Sequence, residues 1–337
     1  MNYKLFSLFL FISFFFYSSF CKIAAKSDSL IFEVEEESLK SFYKELKIIC
    51  KKNNLQKLTT HRSYPKFGKK IEWQSICIKI KNNGQNEKRF ILNNFQTINL
   101  SNKEGLLTGY YEPEINVSKK KSKRFTIPIL KYNANYKKMT REDINKNFNN
   151  KDVLLWTDNK IDLFFLQIQG SGIGLFENKK KIKISYAGNN DLKYKSIGKL
   201  MLKKRLIKGE LNLFSIKDYL NKNLKKVDQI LNYNERYIFF KLSKKNILDS
   251  SKGAMGLNLS PFVSVAVDTK HYPLGLPLVL QSKIYGMLPV IAMDKGSAII
   301  GKNRADLFIG RGKKAEKIAG KLKEKLVIHA LIPRNKK

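Results

Sequence analysis

Apolar residues at 39, 42, 43, 46 and 49 recur every three or four positions, and with Ser38 as an N-cap they predict an amphipathic helix over 38–51. Residues 72–81 fit two patterns: Ile76, Ile78 and Ile80 alternate as in a strand, whereas Trp73, Cys77 and Ile80 share one helical stripe, and the stripe favours a helix. From 106 to 114 a short apolar run meets Gly109, Tyr110, Tyr111 and Pro113, which predicts a strand that turns at a binding surface. Residues 119–123 read as a solvated loop and 141–150 as a polar connection with little core. Alternation through Gln167 and Gln169 predicts a strand over 162–169, a Gly170-Ser-Gly172 turn, and a return strand over 183–188. That turn lacks the Gly-Lys-Ser/Thr ending of a phosphate loop, and no helix pattern begins directly after it.

Ile197, Leu200 and Met201 open a helical stripe running to Gly209 as a C-cap, and 215–218 looks like the start of the next helix. A strand follows at 237–240. Short apolar runs then recur at 263–267, 277–281, 290–293, 305–309 and 326–331, separated by Gly and Pro. One helix interrupts them, with Ala315, Ile318, Ala319 and Leu322 on one face; the whole run predicts a small closed β-barrel.

Two aspartates stand out within this region. Asp294 and Asp306 each follow apolar or small residues and lie near Gly296 and Gly310. A carboxyl at the end of a buried strand is costly to ionise, so it stays protonated at neutral pH and can serve as a general acid. The same spacing also fits turn residues that cap loops by local hydrogen bonds.

A chain of 337 residues, 43% hydrophobic and 28% charged, has an ordinary globular balance and room for two domains. The formal charge of +37 would suit a polyanionic partner, but the lysines are scattered from end to end. No basic domain, zinc-finger pattern or patch of interleaved aromatics accompanies them, so the charge reads as compositional bias on a solvated surface and not as a nucleic-acid site. His61, His271 and His329 have no metal-site spacing, and no cofactor motif is present.

Lys4 is followed by an uncharged run at 5–20 and then by small residues near Ala24 and Ala25, the pattern of an export signal. At about sixteen residues the run falls short of the roughly twenty that a spanning helix requires. Cys21 sits at the boundary of a lipoprotein signal, but Phe20 replaces the small residue expected before it. Cys50 and Cys77 are the other two cysteines, and an exported chain allows either a disulfide or two buried thiols.

Several ordered motifs together resemble the membrane-bound lytic murein transglycosylase A family. They are Thr108-Gly-Tyr-Tyr-Glu-Pro113, Gln167-Ile-Gln-Gly-Ser-Gly172, Ser185-Tyr-Ala-Gly188, Ser196-Ile-Gly198, Val265-Ala-Val-Asp-Thr-Lys-His-Tyr-Pro-Leu-Gly275, and Asp294 through Gly312. The resemblance spans about Cys77 to Pro333. It implies a mainly β fold with helices: a double-psi β-barrel domain from 26–108 and 241–337, with a second β-rich domain, 109–240, inserted in it. Residues 1–25 would be the signal peptide, and a glycan groove would lie between the domains.

The resemblance further implies that Asp306 is the single catalytic acid/base. Thr108, Gly109, Tyr110, Tyr111, Gln169, Gly170, Ser171, Tyr186 and Asp294 would line the groove. The two tyrosines read either as a sugar-stacking platform or as core residues beside a turn. Lys295 and Ser297 stand where that family's motif has small residues.

The implied activity is that of a lyase on peptidoglycan in cell-wall turnover, cleaving between N-acetylmuramic acid and N-acetylglucosamine and leaving a 1,6-anhydro end, without metal or cofactor. The implied location is the periplasm, with anchoring to the outer membrane left open by the Cys21 signal. One carboxyl suffices where the muramic acid C6 hydroxyl is the nucleophile, whereas ordinary glycosidases require two. A hydrolase pairing Asp306 with Asp294, a glycan-binding protein without activity, and a polyanion binder remain as alternatives.

Overall fold

The helix Glu36–Lys51 buries Leu39, Phe42, Tyr43, Leu46 and Ile49 on one face. Its first turn carries Glu36 and Glu37 and its last Lys51, each complementing the helix dipole. The second helix, Lys70–Lys81, buries Trp73, Ile76, Cys77 and Ile80 and leaves Ile78 exposed, so the helical stripe prevails over the alternating isoleucines. Cys50 and Cys77 are joined in a disulfide that staples these two helices together. This computed structural model describes residues 30–51, 65–84, 86–100, 103–243 and 252–334. The apolar run at 5–20, Cys21 and His61 lie outside them.

The fold is mainly β with helices, in two sheets. The first contains β1 (Phe95–Asn99), β2 (Gly105–Glu112), β9 (Ser264–Val267), β10 (Pro277–Ser282), β11 (Gly286–Asp294), β12 (Arg304–Arg311) and β13 (Lys323–Pro333). Its order is β1-β13-β10-β11-β9-β12-β2, and β2 pairs again with β13, so six of these strands close into a barrel. Two neighbours, β11 with β9 and β12 with β2, run parallel. Closure removes free edges from those six strands.

The second sheet has the order β4-β5-β3-β6-β7-β8, from β3 (Glu114–Ser118), β4 (Ile127–Leu130), β5 (Val153–Thr157), β6 (Gly172–Leu175), β7 (Lys181–Asn189) and β8 (Ile238–Ser243). Its core gathers Ile115, Val117, Ile129, Leu155, Ile184 and Phe240. Only Pro113 separates β2 from β3, so the chain passes from the barrel to this sheet at the Tyr-Tyr-Glu-Pro turn.

Several expectations are corrected here. Residues 162–169 are not a strand: Lys160–Gln169 is a helix, capped by Asn159, whose side chain accepts from the Ile161 and Asp162 amides. It ends at Gly170 in the left-handed conformation (φ 81°), as glycine allows. Leu163 and Leu166 face the sheet core while Ile161, Phe164 and Phe165 face a helical cluster, and burial on both sides erased the helical period. The return strand 183–188 does form a hairpin, but with β6. Residues 141–150 likewise include a helix, Arg141–Asn147, started by a Thr140–Asp143 capping box and burying Arg141 and Ile144. The helix at Ile197–Lys203 also stops well short of Gly209, and Leu213–Lys222 starts at Asn212 with Ser215 completing its capping box.

Candidate active site

Asp306 lies on β12 with Ala305 and Leu307, both fully buried, on either side; the strand's two-residue period therefore puts Arg304 and Asp306 on one face. Pairing then sets the neighbours: Asp306 is opposite Thr108 on β2 and opposite Ala266 on β9. Ala266 is in turn opposite Asp294 on β11. A register shift between Ala292 and Asp294 inserts Met293 as an extra residue and brings Asp294, in place of Met293, level with Ala266. Asp294 and Asp306 thus flank a small residue two strands apart, about 9–10 Å by strand spacing.

The two carboxyls have different surroundings. Asp294 accepts three hydrogen bonds: from the Tyr110 hydroxyl at 3.0 Å and from the Ala254 and Lys295 amides, each at 2.9 Å. Asp306 accepts from the Thr108 hydroxyl, and Arg304 Nη2 donates to that same hydroxyl at 2.7 Å. Burial pushes the Asp306 carboxyl above its ordinary range; the Arg304 charge and the Thr108 hydrogen bond oppose this, and the charge of Asp294 adds to it. Burial also raises Asp294, against the donors from Lys295, Ala254 and Tyr110. Lys295, the departure from the motif, meets Asp294 through its backbone amide, and its charge also favours the ionised carboxyl.

Tyr110 and Tyr111 are not a sugar-stacking platform. They are 9% and 2% exposed; Tyr110 packs on Phe308, and the Tyr111 hydroxyl donates to Glu316 at 2.9 Å. Burial of their faces closes off any stacking, and their hydroxyls orient carboxylates instead. Gly109 runs against the helix Gly312–Lys321, where a Cβ would come within 3.0 Å of the Ala319 Cα. Gln169 Oε1 accepts from the Tyr111 amide at 3.0 Å, fastening the Gln169-Gly170-Ser171 turn to the end of β2. Open space lies over Gly170. Tyr186, on β7, is an exposed aromatic, at 47%, with its hydroxyl accepting from Asn189.

Three contributors escaped the sequence reading. Arg304 was visible as a cation two residues before Asp306, a same-face spacing on a strand. Asp268 accepts from the Gly301 amide at 2.7 Å and the Lys270 amide at 2.9 Å, tying the loop after β9 to the loop before β12. Ala254 contributes only its backbone, for which no side-chain signal exists. Among the described residues there is no cluster of His, Cys, Asp or Glu that could hold a metal ion.

A family model described as the MltA specific insert domain matches residues 106–241, and one described as the 3D domain matches 263–332. The chain is 32% identical over 232 residues to the "Membrane-bound lytic murein transglycosylase A homolog" of Buchnera aphidicola, covering 64% of this chain and 62% of that protein. It is 31% identical to the membrane-bound lytic murein transglycosylase A of Vibrio cholerae, again covering 62% of that protein. The chain therefore spans less than two thirds of the length of these curated relatives. The crystal structure of MltA from Neisseria gonorrhoeae superposes with a TM-score of 0.69 at 25% identity, covering 93% of this chain and 92% of that one.

Proposed function

The chain belongs to the membrane-bound lytic murein transglycosylase A family, and from that premise we propose that it is a lyase that cleaves peptidoglycan glycan strands with Asp306 as its only proton-transferring residue. The observation that carries this reading is the asymmetry between the carboxyls. Asp294 has three donors that favour its charged form, while Asp306 has one hydroxyl and the Arg304 charge set against burial and the neighbouring charge of Asp294. On this reading the larger set of donors holds the pair's charge on Asp294, and Asp306 keeps the proton. Protonated Asp306 donates to the glycosidic oxygen between N-acetylmuramic acid and N-acetylglucosamine. As that bond breaks, the Asp306 carboxylate takes the proton of the muramic acid C6 hydroxyl, whose oxygen closes on C1. The 1,6-anhydro ring forms and Asp306 is again protonated, with no water consumed.

The division into a barrel domain (26–108 with 241–337) and an inserted domain (109–240) draws support from the two sheets, although β2 stays in the barrel sheet to Glu112 and β8 in the second sheet to Ser243, and the glycan would lie between them. Gly170, Ser171 and Tyr186 would line the second sheet's side of that groove, and Thr108, Asp294 and Asp306 the barrel's side. The disulfide between Cys50 and Cys77 fits an oxidising compartment and hence export to the periplasm. Among the described residues no helix is long and apolar enough to cross a membrane.

Because Asp294 is close enough to raise Asp306, the two-carboxylate hydrolase is the reading to separate. Asp306→Asn should lower turnover by at least about 10⁴-fold, the upper end for acid/base catalysis, since one residue serves both transfers. Murein binding and thermal unfolding should stay close to wild type. Asp294→Asn should be milder, and mass spectrometry of wild-type products should show ends lighter by one water. Reducing ends together with equal, severe losses at both positions would establish the hydrolase instead.

A further inference from the structure

We propose that Arg304 is a positioning residue that acts through Thr108: it clamps the threonine hydroxyl so that its proton is directed at Asp306. The inference rests on Asp306 being the acid described above. A hydroxyl has one proton to give. Arg304 Nη2 donates to Thr108 Oγ1 at 2.7 Å, and the Thr108 hydroxyl donates to Asp306. Accepting from a cation strengthens a hydroxyl as a donor. The Thr108 proton is thereby committed to Asp306, which makes Thr108 an orienting group and not a donor to the glycan.

The guanidinium is itself held. Nη1 donates to the Leu106 carbonyl at 3.0 Å and to the Ala305 carbonyl at 2.7 Å, so it straddles the seam between β2 and β12. Leu106 and Arg304 are register partners, as are Thr108 and Asp306, so the same parallel pairing aligns clamp, relay and acid. Lysine, with a compact ammonium, cannot reproduce this fork. Facing Asp306 are Arg304 on its own strand, Thr108 and Tyr110 from β2, Asp294 from β11 and the uncharged Ala266 from β9. Arg304 supplies the cation in this set, and its charge works against burial and Asp294 at the Asp306 carboxyl.

The test is the pH dependence of kcat/KM for anhydro-muropeptide release from purified murein by the full chain. Arg304→Met should move the alkaline limb to higher pH by about one unit, because an opposite charge nearby favours the ionised carboxyl. It should also lower the optimum rate by about tenfold through lost orientation. Arg304→Lys keeps the charge, so its limb should stay near wild type while its rate falls. Thr108→Val should shift the limb in the same direction as Arg304→Met, and Thr108→Ser should restore both limb and rate. A wild-type profile for Arg304→Met, or a Thr108→Ser enzyme as impaired as Thr108→Val, overturns the proposal. If Arg304→Met fails to fold because the seam is weakened, the Thr108 pair decides the matter alone. Asp306→Asn is run beside them: its activity would overturn the acid assignment beneath, whereas an inactive Asp306→Asn with unshifted Arg304 and Thr108 profiles overturns the positioning role only.

Discussion

Tyr110 gives its hydroxyl proton to Asp294 and its ring to Phe308, with centroids 5.3 Å apart, so neither end is offered to a ligand. Tyr110→Phe should keep the ring packing and lose one hydrogen bond to a charged group, costing about 1.5–3 kcal/mol in urea unfolding. Murein sedimentation should be unchanged; a large loss of binding with normal stability would show that the hydroxyl reaches the glycan after all. At this scale the sequence revealed the acids more readily than their partners. Asp294 and Asp306 stand out because each is a carboxyl in an apolar run. Thr108 and Tyr110 lie 184 to 198 positions away from the carboxyls they serve, and only strand register brings them together.

Asp268 shows how an element is held by one side chain. It receives amides from Gly301 and Lys270, and its backbone carbonyl accepts from His271 and Tyr272. Burial acts to raise its carboxyl, but these two amides and the nearby His271 outweigh it, leaving the group below its ordinary range. A carboxyl depressed in the folded state contributes stability above its unfolded value of about 4 and loses it as pH falls through the folded value. Asp268→Asn should therefore be less stable than wild type at pH 7, and the gap should narrow as thermal unfolding is repeated at acid pH. A constant gap would assign the loss to something other than ionisation. Elements were legible where one face was apolar, as in Glu36–Lys51 and the strands of the barrel. They were not where both faces are covered: the Lys160–Gln169 helix, between sheet and helices, presented a continuous apolar run whose only helical marks were Asn159 before it and Gly170 after it.

For the molecule as a whole, the two sheets meet where β2 ends, and charge is buried there. Glu112, with its side chain 2% exposed, pairs with Arg311 of β12 at 2.8 Å and faces Lys183 of β7 at 3.7 Å; the Lys183 side chain is 5% exposed. Nearby, Glu316 accepts from Tyr111 and from Lys217 of the Leu213–Lys222 helix, a second tie between the barrel and the helices beside the other sheet. Composition and a charge of +37 conceal this, since a shared buried carboxylate looks like any other Glu in a lysine-rich chain. Glu112→Gln takes that carboxylate from two cations at the junction, and breaking a buried pair typically costs about 3–5 kcal/mol. Lys183→Met alone removes one cation and leaves the Arg311 pair, so it should cost less than Glu112→Gln. The double variant should cost less than the sum of the two, because both substitutions remove the same ion pair. Equilibrium unfolding in urea of the four proteins measures this coupling directly. Additive losses would mean that Lys183 and Glu112 act independently, and the cross-sheet pair would then have no part in holding the two sheets together.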